Sequence, residues 1–285
     1  MTRKTWMWLF VVAGLVLWGL LVLVPGGHKQ EVDVAGEFVA ETYIRLPSLG
    51  PVDMSVTKPV VYLWVALVVI AVASLAVNRT LKTHPGRFQY AAETVYELAR
   101  DGITGSVMKR GAATWFPYIG SVFVFILVNN VVGLIPLPLG KHHQPAFYAA
   151  TANLYCTAGL ALCTFVFTHY AGIRTNGPVH YFVNWAPPSA PLVLRPVLWL
   201  IHAVSEAFRL VSLSVRLFAN MLAGHAILAV FFAMALMFQS YAAAVLLQGG
   251  SVLIYLFEIF VAFIQAFIFA ILSAVYIGGA IDQEH

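Results

Sequence analysis

The sequence predicts an all-α polytopic membrane protein with about five to six membrane helices, the last two forming a long tilted hairpin. Three observations carry that expectation. Hydrophobic residues make up 61% of the 285-residue chain and charged residues only 10%, against about 25% in soluble domains. Apolar runs recur at lengths that cross a hydrocarbon core of about 30 Å, which needs about 20 helical residues. The basic residues gather in particular loops, as the positive-inside rule requires of a chain threaded through a bilayer. A net charge of +4 distributed in this way reads as a topology signal rather than a nucleic-acid surface.

The spans are expected near 6–24, 59–77, 116–135 and 147–170, followed by a longer apolar region over 192–281. The first span follows Arg3 and Lys4. It is either a signal segment or a retained anchor, and no Ala-x-Ala site follows it closely, which favours the anchor. Residues 1–25 are therefore set apart from an external segment, 26–58, which carries Glu31, Asp33, Glu37, Glu41 and Asp53. Residues 59–285 form the membrane domain, with 192–285 as its terminal hairpin.

The loop 78–115 holds Arg79, Lys82, Arg87, Arg100, Lys109 and Arg110 and is expected on the cytoplasmic side. Within it, Arg87–Gly105 has apolar residues at helical spacing and is expected to form a surface helix. The loop 136–146 should be external, with His142 and His143 solvated. The loop 171–191, rich in turn residues, should be cytoplasmic again. Cys156 and Cys163 lie two turns apart on one helix, about 10 Å, too far for a disulfide. The glycosylation pattern Asn78-Arg79-Thr80 falls on the cytoplasmic side and is set aside.

The last third has a different grammar. Its last proline is Pro196, and nothing from Val197 to Phe238 strongly breaks a helix. Such a helix is about 60 Å long, twice the hydrocarbon thickness, so it must tilt, bend or emerge. The turn is expected within Gln239–Ser251, with Gly249-Gly250 at its far side, and a second helix should run over about 252–280. Two such helices suggest a wall against a partner.

Between Val197 and Ile281 the only Asp, Glu, Lys or Arg residues are Glu206, Arg209, Arg216 and Glu258. A charge at mid-bilayer costs about 3 kcal/mol on insertion scales, so each is functional by default. Arg209, Arg216 and Ala223 recur at seven and share a face, with Asn220 one turn beyond Arg216. The adjacent stripe, Ser205, Ser212, Ala219 and Ala226, is small enough for another helix to approach closely. His225 points to the opposite side. On the last helix, Ser251, Glu258 and Gln265 recur at seven, with Tyr276 on nearly the same face. In an antiparallel hairpin that row meets the first helix, and His225 with Glu258 makes a candidate proton-relay pair. Against this, Arg216 could be a structural ion-pair partner of Glu258. Asn220, His225 and Gln265 could be interhelical glue, and Glu206 with Arg209 could simply snorkel.

The run "SLSVRLFANMLAGH" (Ser212–His225), together with "FIQAFIFAILSAVYI" (Phe263–Ile277), resembles subunit a of the F-type ATP synthase membrane sector. "HPGRFQYAAETVYE", "NNVVGLIPLP" and "TNGPVHYF" are similar to that family in the expected order, and the resemblance covers about residues 43–285. It implies a non-catalytic subunit of a proton-translocating ATPase, carrying protons through two offset half-channels to a rotating c-ring. Its partners would be c subunits with a membrane carboxylate, the peripheral-stalk subunit b, the remainder of the synthase and membrane lipids, with no nucleic acid, cofactor or metal. Its place would be a bacterial plasma (inner) membrane.

By that resemblance Arg216 matches the family's essential arginine, Asn220 the asparagine one turn later, and Gln265 the glutamine near that arginine. His225 and Glu258 match positions where one His and one acidic residue occur in either order. Asn130 and Asn153 match polar positions on earlier helices. His202, Glu206, Arg209, Ser251 and Tyr276 are further half-channel candidates. The family often has a carboxylate where this chain has His202, and a basic-Pro pair where it has Arg209-Leu210; Glu206, one turn from His202, is placed to supply the carboxylate. No Walker-type glycine loop is present, so ATP chemistry would belong to other subunits. A self-contained secondary transporter and a structural membrane scaffold are the rivals, and sodium in place of protons stays open.

Overall fold

The computed structural model describes residues 42–47, 55–79, 81–82, 86–135, 148–187, 190–237 and 241–282. The expected span at 6–24, the loop with His142 and His143, and the tail beyond Asp282 lie outside the described residues. A short antiparallel pair, β1 (Thr42–Ile44) with β2 (Val56–Thr57), precedes the first described helix. The long helices are α1 (Lys58–Arg79), α3 (Ala112–Gly133), α4 (Leu154–Asn176), α6 (Arg195–Met237) and α7 (Tyr241–Ile281). Two shorter ones, α2 (Arg87–Glu97) and α5 (Pro178–Val183), lie between them. Five of the described helices are long and apolar enough to cross a membrane, and the fold is the expected all-α polytopic one.

Two compact units divide the chain. The larger comprises Ala40–His225 and Glu258–His285. In the smaller, the described residues are the distal parts of α6 and α7, where the Phe231 ring packs over Gly250.

Within the larger unit, the helix ends are set by local chemistry. Gly111 adopts φ +71° at the start of α3, with the Ile281 side chain and the Trp115 ring against it. A residue with a Cβ would be strained in that left-handed conformation. The Asn153 side chain caps α4, accepting from the Tyr155 N–H at 2.9 Å. Gly177, at φ +80°, ends α4, and Pro178 opens α5 at its first turn, where its missing N–H costs nothing.

Polar bonds between helices fix their directions. Tyr118 on α3 meets Thr164 on α4 at 2.8 Å, and Thr164 meets Ser273 on α7 at 3.3 Å. Thr157 meets Ser214 on α6 at 3.4 Å. Asn176 donates to the Ala280 carbonyl at 3.0 Å, so α4 and α7 end side by side. Asn220 pairs with Gln265, and Arg209 with the Tyr276 ring; the partners are eleven residues apart on both helices, three turns of an antiparallel pairing. At the opposite end, Tyr62, Val132, Tyr148 and Ala150 form a core that ties α1 to the α3–α4 connection. The Lys58 ammonium stands 5.1 Å from the Tyr148 ring centroid. The basic segment 86–111, residues 177–187 and the C-terminal end of α7 thus share one end of this unit.

Three expectations need correction. The span near 147–170 begins at Leu154 and runs to Asn176, because Ala150–Ala152 forms a 3₁₀ turn packed on Gly133, where Ala149 leaves no room for a Cβ. The last helix starts at Tyr241, and Gly249-Gly250 lie inside it, not at the far side of the turn. Two glycines cost about 2 kcal/mol of helix propensity. Leaving backbone groups unbonded in an apolar medium costs several kcal/mol each, so the helix continues. The surface helix Arg87–Gly105 is α-helical only to Glu97; Leu98–Gly105 widens into a π-helix. The cysteines are free, as their spacing requires.

Candidate functional site

The polar residues of the long hairpin fall into three groups. The first surrounds Arg216. The guanidinium is exposed on α6, and among the described residues it makes no hydrogen bond or ion pair. It therefore does not pair with Glu258. Ser205, Ser212, Ala219 and Ala223 are exposed along the same side, so the surface beside Arg216 is low and close backbone approach is possible. Leu213, Leu217 and Met221 point the other way and are buried. Asn220, one turn on, turns inward and donates from Nδ2 to Gln265 Oε1 at 3.1 Å, and Gln265 is itself buried.

The second group is buried where α6 and α7 face each other. His225 is 1% exposed and Glu258 3% exposed. Neither imidazole nitrogen has a hydrogen-bond partner among the described residues, and nor does Glu258 Oε1. The Glu258 carboxylate lies on the backbone of Gly224, the residue before His225, and any Cβ at Gly224 would collide with both its oxygens. The Glu258 carboxylate thus lies against the backbone that precedes His225, and the two side chains do not bond each other. One turn beyond Glu258, the Ala262 carbonyl accepts from Asn130 Nδ2 at 3.1 Å. Asn130 Oδ1 in turn accepts from Thr151 Oγ1 at 2.7 Å. Asn153 does not join this group; its side chain is the cap of α4. Ser251, in the smaller unit, donates to the Leu247 carbonyl of its own helix at 2.9 Å.

The third group lies toward the end that carries the basic loops. Glu206 is buried, not snorkelling; it pairs with Arg209 and with His202 Nε2 at 3.4 Å. The Arg209 guanidinium also stands 5.2 Å from the Tyr276 ring centroid. A small cavity between α4, α6 and α7 is lined by Glu206, Arg209, Tyr276, Thr164 and Thr168. A carboxylate, a cation and hydroxyls around one cavity suit water and proton transfer.

Thr151, Thr164, Thr168 and Ser273 went unread in the sequence. A signal for two of them existed: Thr157, Thr164 and Thr168 recur at seven and four on α4 and are all buried. Thr151 carries no local signal, because its partner is 21 residues away. Among the described residues no group of three or more His, Cys, Asp or Glu side chains is placed to hold a metal ion.

Comparison with known proteins identifies a family over most of the chain. Residues 60–278 match the family described as ATP synthase A chain. The chain is 38% identical to an ATP synthase subunit a of Rubrobacter xylanophilus over 259 residues, 90% of this chain and 96% of that relative. It is 34% identical to the subunit a of Rhodopseudomonas palustris, over 89% of this chain and 99% of the relative. The subunit a of Bradyrhizobium diazoefficiens is likewise 34% identical, over 90% of this chain and the whole of the relative. With the family matched across three of its five long apolar helices and most of the other two, the chain belongs to the ATP synthase A chain family.

Proposed function

We propose that this chain is the stator subunit of an F-type ATP synthase, carrying protons through two offset half-channels to and from the carboxylates of a rotating c-ring. It does no ATP chemistry itself. The observation that carries the reading is Arg216: an exposed guanidinium in an apolar helix, flanked by small residues and without a partner among the described residues. A guanidinium stays charged in any plausible surrounding, so its natural partner is a carboxylate on another chain. It attracts an ionised ring carboxylate as that group arrives and lets it go once protonated. It also stands as a fixed positive charge between the two half-channels, and a low-dielectric seam strengthens its repulsion of a passing proton. A direct leak would dissipate about 2.3 kcal/mol per proton per 100 mV, which is why an immovable charge is needed there.

Protons would be taken up from outside past Asn130, His225, Glu258 and Gln265, with Asn220 holding Gln265 beside the arginine. They would leave toward the cytoplasm by Glu206, His202, Arg209 and Tyr276. Ser251 and Asn153 are lining residues at most in this scheme. Partners would be the c-ring, the peripheral-stalk subunit b and membrane lipids, in a bacterial plasma membrane. A self-contained transporter would need helices broken at mid-membrane, whereas α6 and α7 are continuous. The test is Arg216→Ala in assembled enzyme. ATP-driven acidification of inverted membrane vesicles and ATP synthesis should both be lost while the complex still assembles. Normal acidification in such vesicles would remove the arginine from its role.

A further inference from the structure

At the end of the larger unit that carries the basic loops, a polar group outside the assigned residues is built from three elements. His169, on the last turns of α4, brings Nδ1 to 2.7 Å from the Tyr181 hydroxyl on α5. Gly177 and Pro178 turn the chain back so that Tyr181 returns over α4. Its ring lies on Gly172, where any Cβ would collide with it, and Tyr181 is 2% exposed. Trp185 follows, with its ring 5.9 Å from the His169 ring and 5.0 Å from the His202 ring. His202 reaches the buried carboxylate of Glu206. Two imidazoles from different helices therefore meet one indole beside a carboxylate, and one of them is held by a seated phenol.

Packing alone does not need an imidazole here, since a phenyl ring would fill the space. Imidazole is the side chain whose charge changes between about pH 5 and 8. The phenol is a poor proton carrier: burial, and then the negative charge of Glu206, push Tyr181 up to about 12. Tyr181 thus keeps its hydroxyl proton and acts on the ring beside it. The titratable groups facing His169 are Tyr181 on α5 and Glu206 and His202 on α6, and the Phe165 and Trp185 rings lie against it.

We propose that His169, held by Tyr181, is a further proton-transfer residue on the cytoplasmic side, exchanging protons between cytoplasmic water and the His202–Glu206 pair. The inference rests on the reading of the chain as a proton path. In the tautomer whose Nδ1–H donates to the phenol oxygen, Nε2 keeps its lone pair. A proton from cytoplasmic water adds at Nε2 and gives imidazolium. The Nε2–H bond then breaks, and the proton passes through water to the Glu206 carboxylate; synthesis runs the same steps backwards. Only N–H and O–H bonds form or break, and Tyr181 ends with the proton it began with.

The test uses inverted vesicles with assembled enzyme, whose cytoplasmic face meets the bath. His169→Asn can still hydrogen-bond Tyr181 but cannot titrate. Pumping should weaken as bath protons become scarce: the ratio of wild-type to variant rate should rise about tenfold from about pH 6.5 to about pH 8.5. Added imidazole should restore much of the loss by carrying protons in its place. Tyr181→Phe, which keeps the ring on Gly172, should shift the profile in the same direction by less. A His169→Asn profile equal to wild type at every pH overturns the inference. So does a uniform loss that imidazole does not relieve, which marks a packing residue. Arg216→Ala in parallel separates the causes: if it abolishes pumping while His169→Asn is normal, only this inference fails. If Arg216→Ala pumps normally, the proton-path reading fails and takes the inference with it.

Discussion

Gly224 offers the sharpest test of how Glu258 is held. Its missing side chain is the space the Glu258 carboxylate occupies, so Gly224→Ala sets a methyl group against both oxygens. The backbone has reason to welcome the change, since alanine favours a helix by about 1 kcal/mol over glycine. Steric displacement opposes it, at about 1–3 kcal/mol for an added methyl in a packed interior. The two partly offset each other in the stability of the chain, leaving a net loss of at most about 2 kcal/mol, and the complex should still assemble. They do not cancel in function. Holding the carboxylate in its present place becomes about 1–3 kcal/mol harder, a factor of about 5 to 150 in how often it is there. ATP-driven acidification, normalised to assembled enzyme, should fall within that range. Shortening the offending side chain should help: Gly224→Ala with Glu258→Asp should pump faster than Gly224→Ala alone. Wild-type rates in Gly224→Ala would refute the argument that this seat matters. A double variant no better than the single would show that crowding is not the cause.

Arg216→Lys should fail nearly as fully as Arg216→Ala, because an ammonium lacks the planar fork and can lose its proton when desolvated; vesicle acidification reads this directly. Exchanging His225→Glu with Glu258→His should restore more ATP synthesis than either single change, and a double variant no better than the worse single would dismiss the pair as a relay. A cysteine placed at position 95, in α2, should react with an impermeant thiol reagent only when the cytoplasmic face is exposed; strong labelling of intact cells would invert the topology.

Hydropathy made most of the fold legible, because a bilayer admits few solutions for an apolar run. The hairpin was readable for the same reason: a stretch without helix breakers has nowhere else to go. What escaped was phase and ending. Gly249-Gly250 resembles a turn by the rules of water, where loose backbone can be solvated, and those rules do not hold in lipid. The π-helical widening at Leu98–Gly105 has no local propensity to announce it. At the site, seven-residue recurrence set Arg209 with Arg216, and Glu258 with Gln265, on one face each; the bond from Asn220 to Gln265 was not read from it. It could not place Thr151 on Asn130 or Tyr181 on His169, because those contacts depend on how two connecting turns fold back. Asn153 was readable as polar but not as a cap, since its helix begins later than its hydropathy does.

The side chains that moor α7 bear on how stiff this chain is under load. Asn130 holds Ala262, Asn220 holds Gln265, Thr164 holds Ser273 and Asn176 holds Ala280. The four anchor points belong to three different helices and span 18 residues, about 27 Å of helix. Sliding α7 by one turn, or rolling it about its axis, breaks all four together. At about 0.6 kcal/mol for each polar contact in a membrane, that alone matches the roughly 2.3 kcal/mol that one proton gains across 100 mV. Repacking the fully buried Ala266, Phe269, Ala270, Ala274 and Ile277 comes on top. In the proposed proton path, a passing ion could therefore not readily spend its energy deforming this wall. The chain would then have low compliance along the direction of the applied force, as the fixed race of a bearing must, and displacement would be left to the proposed ring.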